Sequence, residues 1–148
     1  MVTPLTISRT ALLGIEWIFS ICIFAIAANE PLRSSIVNFA IAWGVLTFIP
    51  LTLLLVWSIM DYFTNYHFPA MIEFYSQCVL VVIFWFIGGI SVSAVRPLVQ
   101  SNWNAVIAFF WVNFVLGIIS AGLSFWDAKN DDGLGGDAGG EPKAEAEI

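Results

Sequence analysis

Four long apolar blocks separated by short polar breaks set the pattern of this 148-residue chain. They lie at about residues 8–29, 36–60, 71–95 and 103–126. Each meets the roughly 20 apolar residues that a helix needs to cross a hydrocarbon core about 30 Å thick. The breaks read "EPLRSS", "DYFTNYHFPA" and "RPLVQSN", all carrying proline and charge. Pro31, Pro69 and Pro97 stand at span ends, where a missing N–H costs little. Pro50 lies inside "LTFIPLTLLL", where neighbouring helices and Ser/Thr side chains can satisfy the freed carbonyl, so a modest kink is expected. Short connections make consecutive helices antiparallel neighbours. The pattern therefore predicts an all-α, integral membrane four-helix bundle of up-down-up-down topology over residues 1–126, followed by a disordered acidic tail over 127–148. The first block is too long for the apolar core of a signal peptide and lacks a small-residue cleavage site, so it is expected to remain as a span.

Composition sharpens the choice of solvent. Hydrophobic residues make up 59% of the chain and charged residues only 11%, where a soluble domain carries about 25% charge. The mean hydropathy is +0.89. The net charge of −6 is local, since residues 127–148 hold seven of the eleven acids and two of the five basic residues. No basic footprint for a nucleic acid is present. Membrane lipids are the expected partners.

Aromatic residues add a second layer. Trp17, Trp43, Trp57, Trp103 and Trp126, with Tyr62, Tyr66 and Tyr75, fall towards span ends and read as interfacial anchors. Trp85 and Trp111 lie deeper and read as packing residues. Orientation is weakly set: Arg9, Lys129 and Lys143 on the terminal side oppose Arg33 and Arg96, a bias towards termini in the cytoplasm.

Candidate chemistry is sparse. Cys22 and Cys78 sit inside apolar blocks with no CxxC pair, which makes them small buried hydrophobes. His67, the single histidine, shares the central break with Tyr66, Asp61 and Glu73, but the spacing matches no metal motif. No Ser/His/Asp set or phosphate loop appears, so neither an enzyme nor a cofactor is expected. "NDDG" in the tail does not align with an EF-hand loop: placing Gly133 at the obligatory glycine puts Ala128 at the first ligand and Gly139 at the bidentate acid.

Inside the spans, Glu16, Gln77 and Asn113 stand out. An intramembrane ionisable group is a functional candidate by default. Glu16 lies seven residues after Arg9, about 10 Å along the helix and on the same face. Gln77, Thr52 and Ser120 fall at similar depth on the other spans. A protonated Glu16 carboxyl bonded to Gln77 or Ser120 would hold helices together. That structural reading outweighs a proton or ion site, because a transport path shows several ionisable groups at graded depths. Small residues form the other signal. Gly88, Gly89 and Ser93 on the third span, and Gly117 and Ala121 on the fourth, make small-xxx-small ridges. Such ridges serve packing within the chain or, as the sharper reading, lateral self-association.

Several strings, in order, resemble the MARVEL family and its synaptogyrin-like branch: "GIEWIFSICIFAIAANE" (14–30), "FWFIGG" (84–89) and "NAVIAFFWVNFVLGIISAGLSF" (104–125). The resemblance covers about residues 8–126. It implies a four-helix membrane domain with cytosolic termini in endomembrane, vesicle or plasma membranes, associated with membrane apposition, vesicle trafficking and lateral organisation. No catalytic residues are implied. Glu16 departs from the branch, where a small or uncharged polar residue is expected. The tail also lacks tyrosine. The expected function is thus a membrane organiser, with a small channel or transporter, or an accessory subunit of a larger membrane complex, as the alternatives.

Overall fold

The structure is a computed structural model that describes residues 4–29, 34–64, 69–95 and 102–135. Among the described residues it is built from helices alone: α1 (Pro4–Ala28), α2 (Ser35–Thr64), α3 (Ala70–Ala94) and α4 (Trp103–Gly135). All four are long and apolar enough to cross a membrane. Helices are the natural outcome, because a backbone without water partners must satisfy every N–H and C=O within its own segment. The all-α membrane class expected from the apolar blocks is the class observed.

Side-chain pairings give the direction of each helix. Thr10 meets Ser58 (2.6 Å) and Trp17 donates to Thr52 (2.9 Å), so α1 and α2 run antiparallel. Arg9 pairs with Asp127 and Phe19 stacks near Phe109, which sets α4 antiparallel to α1. Trp85 packs on Phe110 and Trp103 donates to the Val92 carbonyl, which sets α4 antiparallel to α3. The first residues of α1 and the last of α4 therefore share one end of the bundle.

The core is a stack of large side chains between the helices, with Leu13, Ile23, Leu51, Trp85, Trp103 and Phe110 nearly or wholly excluded from the surface. Lipid-facing positions carry Ile7, Ile18, Ile49, Val82, Val115 and Ile118. Because both lipid and core accept apolar residues, hydrophobicity alone does not distinguish inside from outside. Polar residues mark the inside instead: Arg9, Glu16 and Ser20, with Leu13, Ile23 and Ala27, form the buried stripe of α1.

Two local features were not legible in the pattern. Within α3, Leu80–Ile87 is a π-helical stretch between α-helical turns. Its wider turn brings both Leu80–Val81 and Trp85 onto the buried face. The Trp43 indole of α2 donates to the Phe84 carbonyl inside that stretch (2.9 Å). Such register changes accompany donors inserted into the helical ladder and concentrate at functional sites. α2 continues as one helix through Pro50.

The second feature concerns the end of the fourth span. Residue 127, the expected start of the tail, lies inside α4, which continues to Gly135. The extension has a cause: Asp127 is held by Arg9, and Ala128 is buried. The remainder of the expected tail, 136–148, lies outside the described residues.

Aromatic anchoring also needs correction. Trp57 and Trp126 face outwards, as interfacial residues should. Trp103 instead is 1% exposed and Trp43 turns its indole into the bundle, each because its N–H finds a backbone carbonyl on α3. A satisfied indole N–H removes the penalty that would otherwise hold tryptophan at the headgroups.

Candidate functional site

The interior polar residues occupy two successive levels. The outer level lies at the termini-bearing end. Arg9 extends from α1 between α3 and α4, where it pairs with Glu73 through both Nη2 and Nε (the latter 3.2 Å from Oε1). Its Nη1 pairs with Asp127 of α4. The Arg9 and Glu73 side chains are 7% and 4% exposed, that of Asp127 23%. The Ser124 hydroxyl lies 3.0 Å from Glu73 Oε1 and 3.1 Å from the Ser120 carbonyl, so its one proton is shared between them. Asp61 of α2 adds a third carboxylate to the field around Arg9. A planar guanidinium suits this place, since it can meet two carboxylates at once.

The inner level centres on Glu16, which is 0% exposed. Gly117 of α4 lies beside it and makes room for Val81: a methyl group there would stand 2.6 Å from Val81 Cγ2, and at ordinary contact distance from Trp85 Cδ1 (3.5 Å) and Glu16 Oε2 (3.7 Å). Glu16, Val81, Trp85 and Gly117 thus meet at one depth. Gln77 precedes Val81 by four residues, about 6 Å towards the termini-bearing end. Ser120 lies about 4.5 Å from Gly117 in the same direction, and Asn113 about 6 Å the opposite way. All three are 0% exposed.

The Trp85 indole N–H points towards the Glu16 carboxyl at the loose limit of a hydrogen bond. Among the described residues, both polar atoms of Gln77 and of Asn113 and the Ser120 hydroxyl are buried without a hydrogen-bond partner. The expected bond from Glu16 to Gln77 or Ser120 is not made. Instead the carboxyl is directed at the Gly117–Trp85 level, with Gln77 and Ser120 a turn nearer the Arg9 pair. Thr52, another residue of similar depth, accepts from Trp17 and donates to the Phe48 carbonyl, so it is committed to the α1–α2 contact.

The small residues lie at helix contacts within the chain. A methyl group on Gly88 would stand 2.6 Å from Phe110 and 2.7 Å from Trp43 Nε1. Gly89 faces Trp111, whose indole donates to Ser93 Oγ (3.1 Å). Ala121 is buried beside Ser120. Gly122, by contrast, has nothing within 4 Å of its open face. Cys22 and Cys78 are half-buried and free.

Sequence reasoning missed the outer level. It placed Glu73 in the central break with His67, and it counted Arg9 only as a charge on the terminal side. A signal existed: Arg9, Glu73 and Asp127 stand at equivalent distances from span ends on the same side. Tyr66 and His67 lie outside the described residues, as do Arg33 and Arg96. Among the described residues, no three His, Cys, Asp or Glu side chains converge on a metal-sized site.

Four spanning helices with a largely apolar exterior define a multi-pass integral membrane protein. The family model for the membrane-associating domain called MARVEL matches residues 5–123. The chain therefore belongs to the MARVEL family. Comparison with curated proteins and with solved structures returns no match.

Proposed function

We propose that this MARVEL protein organises membrane microdomains or vesicles, in trafficking or membrane apposition, through lateral contacts of its helices with lipid and with other membrane proteins. Both termini face the cytosol in this reading, in an endomembrane, vesicle or plasma membrane. The observation that carries it is the exterior: large apolar side chains cover the outward faces of all four helices, while Glu16, Gln77 and Asn113 are drawn inwards. An exterior of this kind leaves shape and small grooves as the means of selecting neighbours. One such groove, of about 230 Å³, opens between α1 and α2 and is lined by Ile21, Phe24, Gly44, Val45 and Phe48 with Ser20 at its base. Gly44 lets α2 approach Phe24 there, since a methyl group would stand 3.2 Å from the Phe24 Cβ.

Reconstitution into phase-separated giant vesicles, paired with single-molecule bleaching in nanodiscs, tests this reading. Partitioning into one phase, clustering or altered vesicle shape is the expected result. A uniformly distributed monomer with no effect on shape or sorting would overturn it.

The buried row of Glu16, Gln77 and Asn113 favours a second reading, a small channel or transporter. A proton or ion current in proteoliposomes, abolished by Glu16→Gln, is its test.

A further inference from the structure

The buried residues of α3 fall into two sets, Ala70, Glu73, Gln77 and Leu80 before its middle and Trp85, Gly88, Gly89 and Val92 after it. Wound on a straight α-helix at about 100° per residue, the two sets would be centred about 90° apart. The π-helical stretch Leu80–Ile87 removes this offset. A π-turn takes up one extra residue without advancing the helix, so both halves of α3 face the bundle at once.

Contacts at each end hold this arrangement. The Trp43 indole of α2 donates to the Phe84 carbonyl inside the stretch at 2.9 Å, and a donor inserted into the helical ladder is a recognised cause of such a change. Gly88 gives the indole its space, since a methyl group there would stand 2.7 Å from Trp43 Nε1. At the termini-bearing end, Glu73 is held by Arg9 and by the Ser124 hydroxyl.

The same helix carries a second interior face. Phe74, Cys78, Val81, Trp85, Gly88 and Val92 follow one another at alternating steps of four and three, the spacing of an unbroken helical seam. In this structure Phe74 and Cys78 are half-buried at the border of the interior face. Without the extra residue, they take the places of Glu73 and Gln77.

We infer that α3 has two registers, with Trp43 as the latch between them: the π-helical register of this structure, which turns Glu73 and Gln77 into the bundle, and a straight α-helical register, which turns Phe74 and Cys78 inwards instead.

Different contributions favour each. The π-helical register has the Trp43 bond and the Arg9–Glu73 pair, but it buries the Gln77 amide without a partner, which is costly. The straight register gives up both contacts, makes the interior face apolar and releases that amide. Glu73 lies in the first turn of α3, where the helix dipole favours a carboxylate and the headgroups are near. Arg9 keeps Asp127. Met71, Ile72, Tyr75 and Val79, the outward side chains of this half, turn with it by about 100°. The half beyond the stretch stays in place, because Trp103 is bonded to the Val92 carbonyl. The latch therefore sets which surface α3 shows to its neighbours in the membrane.

Disulfide trapping reads the register. Ser124 meets Glu73, so position 120, one turn further in, faces position 77 in the π-helical register and position 78 in the straight one. Two reporters of the full chain in liposomes, both with Cys22→Ala and Ser120→Cys, are oxidised with copper phenanthroline. The first retains Cys78; the second carries Gln77→Cys and Cys78→Ser. Peptide mass spectrometry measures the intramolecular link. The second reporter is expected to link fast and the first slowly. Trp43→Phe, which keeps the ring and removes the donor, raises the rate of the first about tenfold, the factor for one lost hydrogen bond, and lowers that of the second. Glu73→Leu acts in the same direction from the other end of the half-helix.

A Cys78 link unchanged by both variants overturns the second register. Rates that rise together in the two reporters also overturn it, because the helix would then be loosened rather than turned. A response to Glu73→Leu alone overturns Trp43 as the latch.

Discussion

Replacing Arg9 with methionine removes the cation that pairs with Glu73 and Asp127 while retaining most of the side chain's length. Glu73, whose side chain is 4% exposed, then loses both guanidinium contacts. It keeps only a share of the Ser124 proton. Breaking a buried pair by removing one partner costs about 3–5 kcal/mol, chiefly because the remaining charge stays buried and unpaired. Asp127 is partly exposed and can turn towards the headgroups, so its contribution is closer to that of a surface pair, at most about 1 kcal/mol. The expected loss for Arg9→Met is therefore about 3–5 kcal/mol, dominated by Glu73. The double variant Arg9→Met with Glu73→Met removes both buried charges and should recover most of that loss, since well-packed apolar replacements of buried pairs are often neutral. Reversible unfolding in mixed micelles, followed by circular dichroism, gives both values. A single variant within about 1 kcal/mol of the parent, or a double variant as unstable as the single, would refute the assignment of Arg9 as the tie between α1, α3 and α4.

Gly88→Ala forces a methyl group to within 2.6 Å of Phe110 and 2.7 Å of Trp43 Nε1, and overpacking of this kind costs about 1–3 kcal/mol by the same unfolding assay. Gly122→Ala meets nothing within 4 Å and should raise stability by up to about 1 kcal/mol through helix propensity, the opposite sign for the same substitution on neighbouring helices. Trp103→Phe keeps the buried ring but removes the N–H that donates to the Val92 carbonyl at 3.1 Å, a loss of about 1–3 kcal/mol for an orphaned buried acceptor. Asn113→Leu replaces an unpartnered buried amide with an apolar side chain of similar size. It should leave stability unchanged or raise it, whereas a loss above about 1 kcal/mol would show that the amide has a partner in the folded chain.

The sequence by itself determined the class, and the reason is lengths. Blocks of apolar residues long enough to span, joined by breaks too short for any other arrangement, leave antiparallel helices as the available fold. It also marked Glu16, Gln77 and Asn113, because polar residues are conspicuous against an apolar background. It did not separate core from lipid face, since leucine, isoleucine and phenylalanine serve both solvents equally well.

Only the tertiary structure decided which polar groups meet. Arg9 and Glu73 are 64 positions apart in the chain, and Arg9 and Asp127 are 118 apart, so their pairing depends on helix order and register. The π-helical stretch at Leu80–Ile87 is likewise a tertiary outcome, because a run of β-branched and aromatic residues suits an α-turn or a wider one until its neighbours are fixed. The same holds for the small residues: Gly88 and Gly122 look alike in sequence, yet one supports aromatic rings of two other helices and the other faces open space. Register between helices, set by the summed fit of whole faces, turned a set of isolated polar residues into a salt-bridged outer level and an unpaired inner one.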